Sequence, residues 1–157
     1  MSKTLIAYGT RYGATAEVAK KIAKILKDDF KLEIDEVNLE ERFPKKKDLQ
    51  DYSNIIIGSG IKMGQWVNTA KRFLSSNFEG KKVAVFVCSR RGGEPDLHVY
   101  AFENYVEKVI KKKLKIDPIA YEAFGGRKPL KDGNFYDNRD WNKIRDWAYL
   151  LGKNFSS

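Results

Sequence analysis

The sequence predicts an α/β fold: a five-stranded parallel sheet with helices on both faces. Three observations predict it. Short β-rich runs alternate with helical stripes from one end of the chain to the other. Two of those runs, Ile55-Ile56-Ile57 and Val83-Ala84-Val85-Phe86-Val87, are apolar without alternation, which suits strands buried on both faces. Between the runs, apolar residues recur at helical spacing, as in Ala19, Ile22, Ala23 and Leu26. Strands separated by helices join in parallel through right-handed crossovers.

The amino terminus from Met1 to Gly9 reads as a strand, with Lys3–Gly9 its β-rich part. Residues 15–27 form the first helix. Leu32, Ile34 and Val37 mark a second strand, and Pro44 opens a short, weakly helical segment. The third strand covers 54–59. Val67, Ala70, Phe73 and Leu74 make the next helical face, followed by the fourth strand over 83–87. Phe102, Val106, Val109 and Ile110 make another helix, ending in Lys111-Lys112-Lys113, which suits the negative end of a helix dipole. The fifth strand spans 116–124, with Pro118 arguing for a sheet edge. Trp141, Ile144, Ala148, Leu151 and Phe155 form the closing helix.

The chain of 157 residues fits one domain, 1–157, because two halves would each have a poor core. Cys88 is the only cysteine, which excludes a disulfide scaffold and suggests a reducing compartment. No apolar run approaches the ~20 residues needed to span a bilayer. The expectation is a soluble, cytoplasmic protein with no integral membrane segment. Thirty Lys and Arg against twenty-one Asp and Glu leave a net charge of +9. The cations are spread along the chain, and no zinc spacing, aromatic RNA signature or helix-turn-helix pattern accompanies them. Most of the charge reads as a solvated face without specific nucleic-acid binding; some of it can steer an acidic partner protein.

In parallel sheets, ligands sit beyond the carboxyl ends of the strands. The loops after strands one, three, four and five are therefore the ones that can carry chemistry. The first reads Gly9-Thr10-Arg11-Tyr12-Gly13-Ala14-Thr15. Between a strand and a helix, such a loop offers backbone N–H groups and two hydroxyls to one anion. It lacks the Walker ending and the three-glycine dinucleotide spacing. The alternative is a plain helix start, with Thr15 as cap and Glu17 in the first turn. The second loop reads Gly58-Ser59-Gly60-Ile61-Lys62-Met63-Gly64-Gln65-Trp66. Its glycines allow close approach to a flat ligand, and Met63 or Trp66 can cover a ring. Trp66 can equally be a buried packing residue. The third loop reads Cys88-Ser89-Arg90-Arg91-Gly92-Gly93-Glu94. A phosphatase cradle needs arginine where Glu94 stands, so Cys88 reads as a small core residue beside a ligand. His98, the sole histidine, is expected on a helix surface, and no metal-ligand cluster is visible. Paired acids for a phosphorylated receiver domain are missing.

Together these loops resemble the flavodoxin family. Thr10-Arg11-Tyr12-Gly13-Ala14-Thr15 is similar to the family's phosphate loop, Thr-x-x-Gly-x-Thr. The resemblance implies a flavodoxin-like three-layer sandwich with strand order 2-1-3-4-5. It implies non-covalent FMN and low-potential electron transfer between redox partner proteins. It assigns the phosphate to Thr10, Arg11, Tyr12, Gly13, Ala14 and Thr15. The flavin ring falls to Ser59, Gly60, Ile61, Lys62, Met63, Gly64 and Trp66, with Ser89, Arg90, Arg91 and Gly92 at its edge. Gly64 or Gly60 resembles the residue whose peptide reorients as the ring is reduced. Arg90 and Arg91 either face the ring and raise its potential or pair with Glu94 or Asp96. Within the family, Ile57-Gly58-Ser59-Gly60-Ile61-Lys62-Met63-Gly64 and Ala123-Phe124-Gly125-Gly126-Arg127 resemble the group that includes quinone-linked protoporphyrinogen oxidases. The long insertion of those oxidases is absent, since 126–140 is short and polar. That favours a plain electron carrier over an FMN-dependent oxidoreductase acting on a quinone or porphyrinogen, for which Tyr100, Phe135 or Tyr136 would line the substrate pocket.

Overall fold

A computed structural model describes residues 3–157; Met1 and Ser2, assigned above to the first strand, lie outside the described residues. The parallel strands are β1 (Lys3–Gly9), β2 (Glu33–Asn38), β3 (Asn54–Lys62), β5 (Lys82–Cys88) and β6 (Ala120–Phe124). Their order is β2-β1-β3-β5-β6, and a two-residue strand β4 (Gln65–Trp66) pairs antiparallel with the end of β3. With β4 set aside, this is the expected 2-1-3-4-5 order. The chain leaves β1 in one direction for β2 and returns in the other for β3, so the reversal of strand order opens a crevice beyond β1 and β3.

Side-chain alternation explains why the central strands lack polar residues. Ile55 and Ile57 enter one core cluster while Ile56 enters the other; Val83, Val85 and Val87 oppose Ala84, Phe86 and Cys88 in the same way. On the first face lie α2 (Asn68–Phe73), through Ala70 and Phe73, and the helical stretch 98–113, through Tyr105, Val106 and Ile110. That stretch comprises α4 (His98–Ala101), a π-helical segment Phe102–Glu107 and α5 (Lys108–Lys113). The second face is covered by α1 (Ala14–Phe30), through Val18 and Ile22, and by α6 (Trp141–Phe155), through Ile144 and Leu151. Asp140 caps α6, its carboxylate accepting from the Asn142 and Lys143 amides.

Four expectations change. The weakly helical segment begins at Asp48, not Pro44, as a single 3₁₀ turn, Asp48–Asp51. The third strand runs three residues past Ser59 into the β3–β4 hairpin. Its two-residue tip, Met63-Gly64, has φ of 52° and 76°, the double left-handed geometry that matches strand twist in a tight hairpin. The fifth strand begins at Ala120, because Pro118 lacks the N–H that pairing needs, and β6 is indeed an edge strand. The polar connection after β6 folds as a second hairpin, β7 (Arg127–Pro129) with β8 (Phe135–Asp137).

Candidate functional site

Beyond the carboxyl ends of β1, β3, β5 and β6 lies a cleft of about 800 Å³. That is within the range of small-molecule and cofactor sites. Five segments build it: the loop after β1, the β3–β4 hairpin, the turn after β5, the helical stretch 98–113, and the loop after β6 with the β7–β8 hairpin.

The loop after β1 is braced by its own hydrogen bonds. Thr10 Oγ1 accepts from the Gly13 amide at 3.0 Å, and Gly13 takes a left-handed φ of 84° to start α1. Gly13, not Thr15, is the N-cap, and no side chain caps the helix. The first-turn amides thus have no side-chain acceptor, at the positive end of a 17-residue helix. Thr15 is buried in that turn and lines the cleft, with its hydroxyl beside the Cys88 thiol. Arg11 Nη2 donates to the Trp66 carbonyl at 3.0 Å, tying the loop to β4. A Cβ built on Gly60 would stand 3.2 Å from Thr15 Oγ1 and 3.8 Å from the Arg11 amide nitrogen. The residue across from the loop is therefore glycine where a side chain would fill the cradle. A phosphate fits the donors gathered there.

The remaining expected residues divide. Thr10, Arg11, Tyr12, Ala14 and Thr15 line the cleft, as do Gly60, Ile61, Lys62, Met63, Gly64, Ser89, Arg90 and Arg91. Gly13 shapes the loop from behind. Ser59 is fully buried, donating to the Gly60 carbonyl and accepting from the Val67 amide, so it braces the strand end and stays off the wall. Trp66 also leaves the wall. It is buried in the core, and its Nε1 donates to the Tyr105 carbonyl at 2.6 Å, so its ring is unavailable for stacking. Gly92 sits against Phe124, where a Cβ would meet the carbonyl oxygen at 2.3 Å; its role is to let the turn pass β6.

The turn after β5 is a short helix, α3 (Arg90–Gly93), capped by Ser89 Oγ accepting from the Gly92 amide. The two arginines separate. Arg90 bonds Glu94 at 3.0 Å and lies over the Tyr136 ring. Arg91 donates to Tyr105 Oη at 3.0 Å and stacks against Tyr100. Burial pushes the Cys88 thiol up to about 12, despite the lowering by Thr15 and Arg139, so it stays protonated and is no nucleophile. His98 is half-buried rather than on a free surface. Its Nδ1 is 2.9 Å from the Gly92 carbonyl and its Nε2 3.4 Å from Glu122, which ties the turn to β6.

Gln65, Tyr100, Asn104, Tyr105, Gly126, Arg127, Lys128 and Tyr136 also line the cleft. Tyr100 and Tyr136 enter the sequence reading only with the oxidoreductase alternative. Tyr105 belongs to the core while Tyr100 and Asn104 flank it on the same helical stretch, and composition does not mark the three as cleft residues. Among the described residues, no cluster of three or more His, Cys, Asp or Glu side chains could hold a metal ion. No helix there is long and apolar enough to cross a membrane.

Comparison with known proteins agrees with this architecture. Oxidised flavodoxin 2 from Bacillus cereus is 22% identical, with 98% of this chain and 99% of that one covered at a TM-score of 0.65. Oxidised flavodoxin 1 from the same organism is 19% identical, with 98% and 97% covered at 0.62. A flavo di-iron protein mutant from Thermotoga maritima is 22% identical over 98% of this chain but only 36% of its own, at 0.62. No curated protein matches the chain. A family model for the flavodoxin domain matches residues 5–146, so the chain belongs to the flavodoxin family.

Proposed function

We propose that this protein is a flavodoxin-type electron carrier that holds FMN non-covalently and moves low-potential electrons between redox partner proteins. The observation that carries the reading is the cradle between the β1 loop and Gly60, where side-chain volume is missing and donors converge. In this reading the hydroxyls of Thr10 and Thr15 and the loop amides between them, other than that of Gly13, would hold the phosphate. The Met63-Gly64 tip and Arg91, held by Tyr105, line the same cleft and would border the ring. When bound, the flavin supplies the electron chemistry; the chain supplies position and field. A nearby guanidinium favours a more negative ring, so Arg91 raises the potential. A single cysteine leaves no internal disulfide to form, which supports a cytoplasmic setting.

The test is titration of FMN into the flavin-free protein, followed by anaerobic stepwise reduction watched by absorbance. The expected result is one FMN per chain and two resolved one-electron steps. Failure to load FMN overturns the reading. A second reading is an FMN-dependent oxidoreductase of the quinone- or porphyrinogen-oxidising kind, favoured by the placement of Tyr100 and Tyr136 on the same cleft. A single two-electron step, with steady-state turnover of such a substrate, selects it.

A further inference from the structure

The cofactor accounts for only part of the charge in this cleft. Arg11, Lys62, Arg90, Arg91, Arg127 and Lys128 line it, and no Asp or Glu does. Of these six, only Arg90 is ion-paired among the described residues, to Glu94. A phosphate brings about −2 at neutral pH, and a reduced ring at most about one further negative charge. Five cations outside any ion pair exceed that, and of these only Arg127 has a carboxylate, Asp137, standing opposite among the described residues.

The surplus sits on the two hairpins that flank the opening, Lys62 on one and Arg127 with Lys128 on the other. Large apolar groups stand exposed among them. Met63 is 92% exposed, Tyr100 46% and Phe135 50%, with Arg127 stacked on the Phe135 ring at 3.7 Å. Methionine, aromatic and arginine side chains of this kind anchor protein interfaces, and a surrounding charge of one sign selects the partner. A small anion would be held by the charges alone and would leave Met63 in water.

We infer that the mouth of the cleft, from the Met63-Gly64 tip to the β7–β8 hairpin, docks a protein whose contact face is acidic. This rests on the flavin reading above and identifies its partner by charge. The test measures binding at saturating FMN to two probes, an acidic plant-type [2Fe–2S] ferredoxin and basic cytochrome c. The ferredoxin binds and weakens about tenfold between about 20 and about 200 mM salt, while cytochrome c binds far more weakly at low salt. Lys62→Glu with Lys128→Glu weakens ferredoxin binding about tenfold or more, whereas Lys111→Glu with Lys112→Glu, an equal change in net charge away from the cleft, shifts it less than about twofold. FMN loading without ferredoxin binding, or equal loss in both double variants, overturns the docking inference and leaves the flavin reading intact. Single-stranded DNA bound as tightly, with the same loss in Lys62→Glu/Lys128→Glu, also overturns it, since the surface then reads charge alone. Failure to load FMN removes the flavin reading and this inference with it.

Discussion

The loop after β1 and the hairpin after β3 face each other across one cleft and are built in opposite ways. In the loop, side chains brace the backbone: Thr10 accepts from the Gly13 amide, and Arg11 donates to the β4 carbonyls. What remains for a ligand is the backbone amides and the hydroxyl hydrogens. In the hairpin, Met63 is almost fully exposed in a left-handed conformation and Lys62 has no carboxylate partner among the described ion pairs. A preorganised wall binds without reordering, while an exposed and strained one can change when something arrives. The two walls thus separate holding a ligand from responding to it, and substitutions can test each role.

The largest effect should come from closing the cradle. In Gly60→Val, the added methyls enter the space beside Thr15 Oγ1 and the Arg11 amide. FMN affinity should fall at least about a hundredfold, roughly 2.7 kcal/mol. The flavin-free protein should keep its melting temperature within a few degrees, because that space is cleft and not core. Fluorescence titration of FMN beside a thermal melt checks both. A large drop in melting temperature would mean that Gly60 serves the fold.

On the responding wall, Gly64 has φ of 76°, and the nearest obstacle to a Cβ is Tyr105 at 3.7 Å. Gly64→Val therefore costs mainly backbone strain, about 1–2 kcal/mol. The structural expectation is a lower melting temperature. The functional expectation is a narrower separation between the two one-electron potentials of the loaded protein, since a β-branched residue hinders reorientation of this peptide. An unchanged separation would take Gly64 out of the response.

How legible each wall was follows from the same contrast. The β1 loop could be read because its chemistry is local: Thr10, Gly13 and Thr15 sit at fixed spacing between a strand and a helix. The frame could be read because Ile55-Ile56-Ile57 and residues 83–87 admit few structures other than doubly buried strands. The hairpins could not. Methionine is no turn former, so nothing at Met63 announced a positive φ, and 59–66 reads as loop. Trp66 had two open roles that only its bond to the Tyr105 carbonyl decides, and that carbonyl is thirty-nine residues away. The three-residue strands of β7 and β8 are too short to show alternation. Tyr100 and Tyr105 reach the cleft from a helix containing a π segment, and a π turn shifts which side chains share a face.

A third substitution tests what holds the quiet wall in place. Arg139 is buried, pairs with Glu17 and Asp137 at 2.8 Å each, and donates to the Ala14 carbonyl. It thereby fastens the start of α1 to the strand β8. Arg139→Ala should cost about 1–2 kcal/mol, since both carboxylates are partly exposed and can be solvated. FMN affinity should fall several-fold through the loosened loop. The arginine's hydrogen bonds hold the Asp137 carboxyl below its usual value of 3.8. A group lowered in this way contributes fully above that value and loses its contribution as pH falls through the folded one. Wild-type stability should therefore drop more steeply below pH ~4 than that of Arg139→Ala. Parallel acid-denaturation curves would show that the clamp contributes nothing.

The smallest effect concerns Met63 itself. Asn-Gly suits a tip with two positive φ values better than Met-Gly, because asparagine tolerates the left-handed region. Met63→Asn should therefore stabilise the protein, by about 0.5 kcal/mol, judged by thermal or urea melts. The same substitution removes the most exposed apolar side chain at the cleft mouth, so binding of the acidic ferredoxin should weaken a few-fold with its salt dependence unchanged. Stability and docking would then move in opposite directions on one substitution. That opposition distinguishes a residue placed for contact from one placed for folding. If both rise together, Met63 is only an awkward turn residue, and the contact surface lies with the tyrosines and the charges.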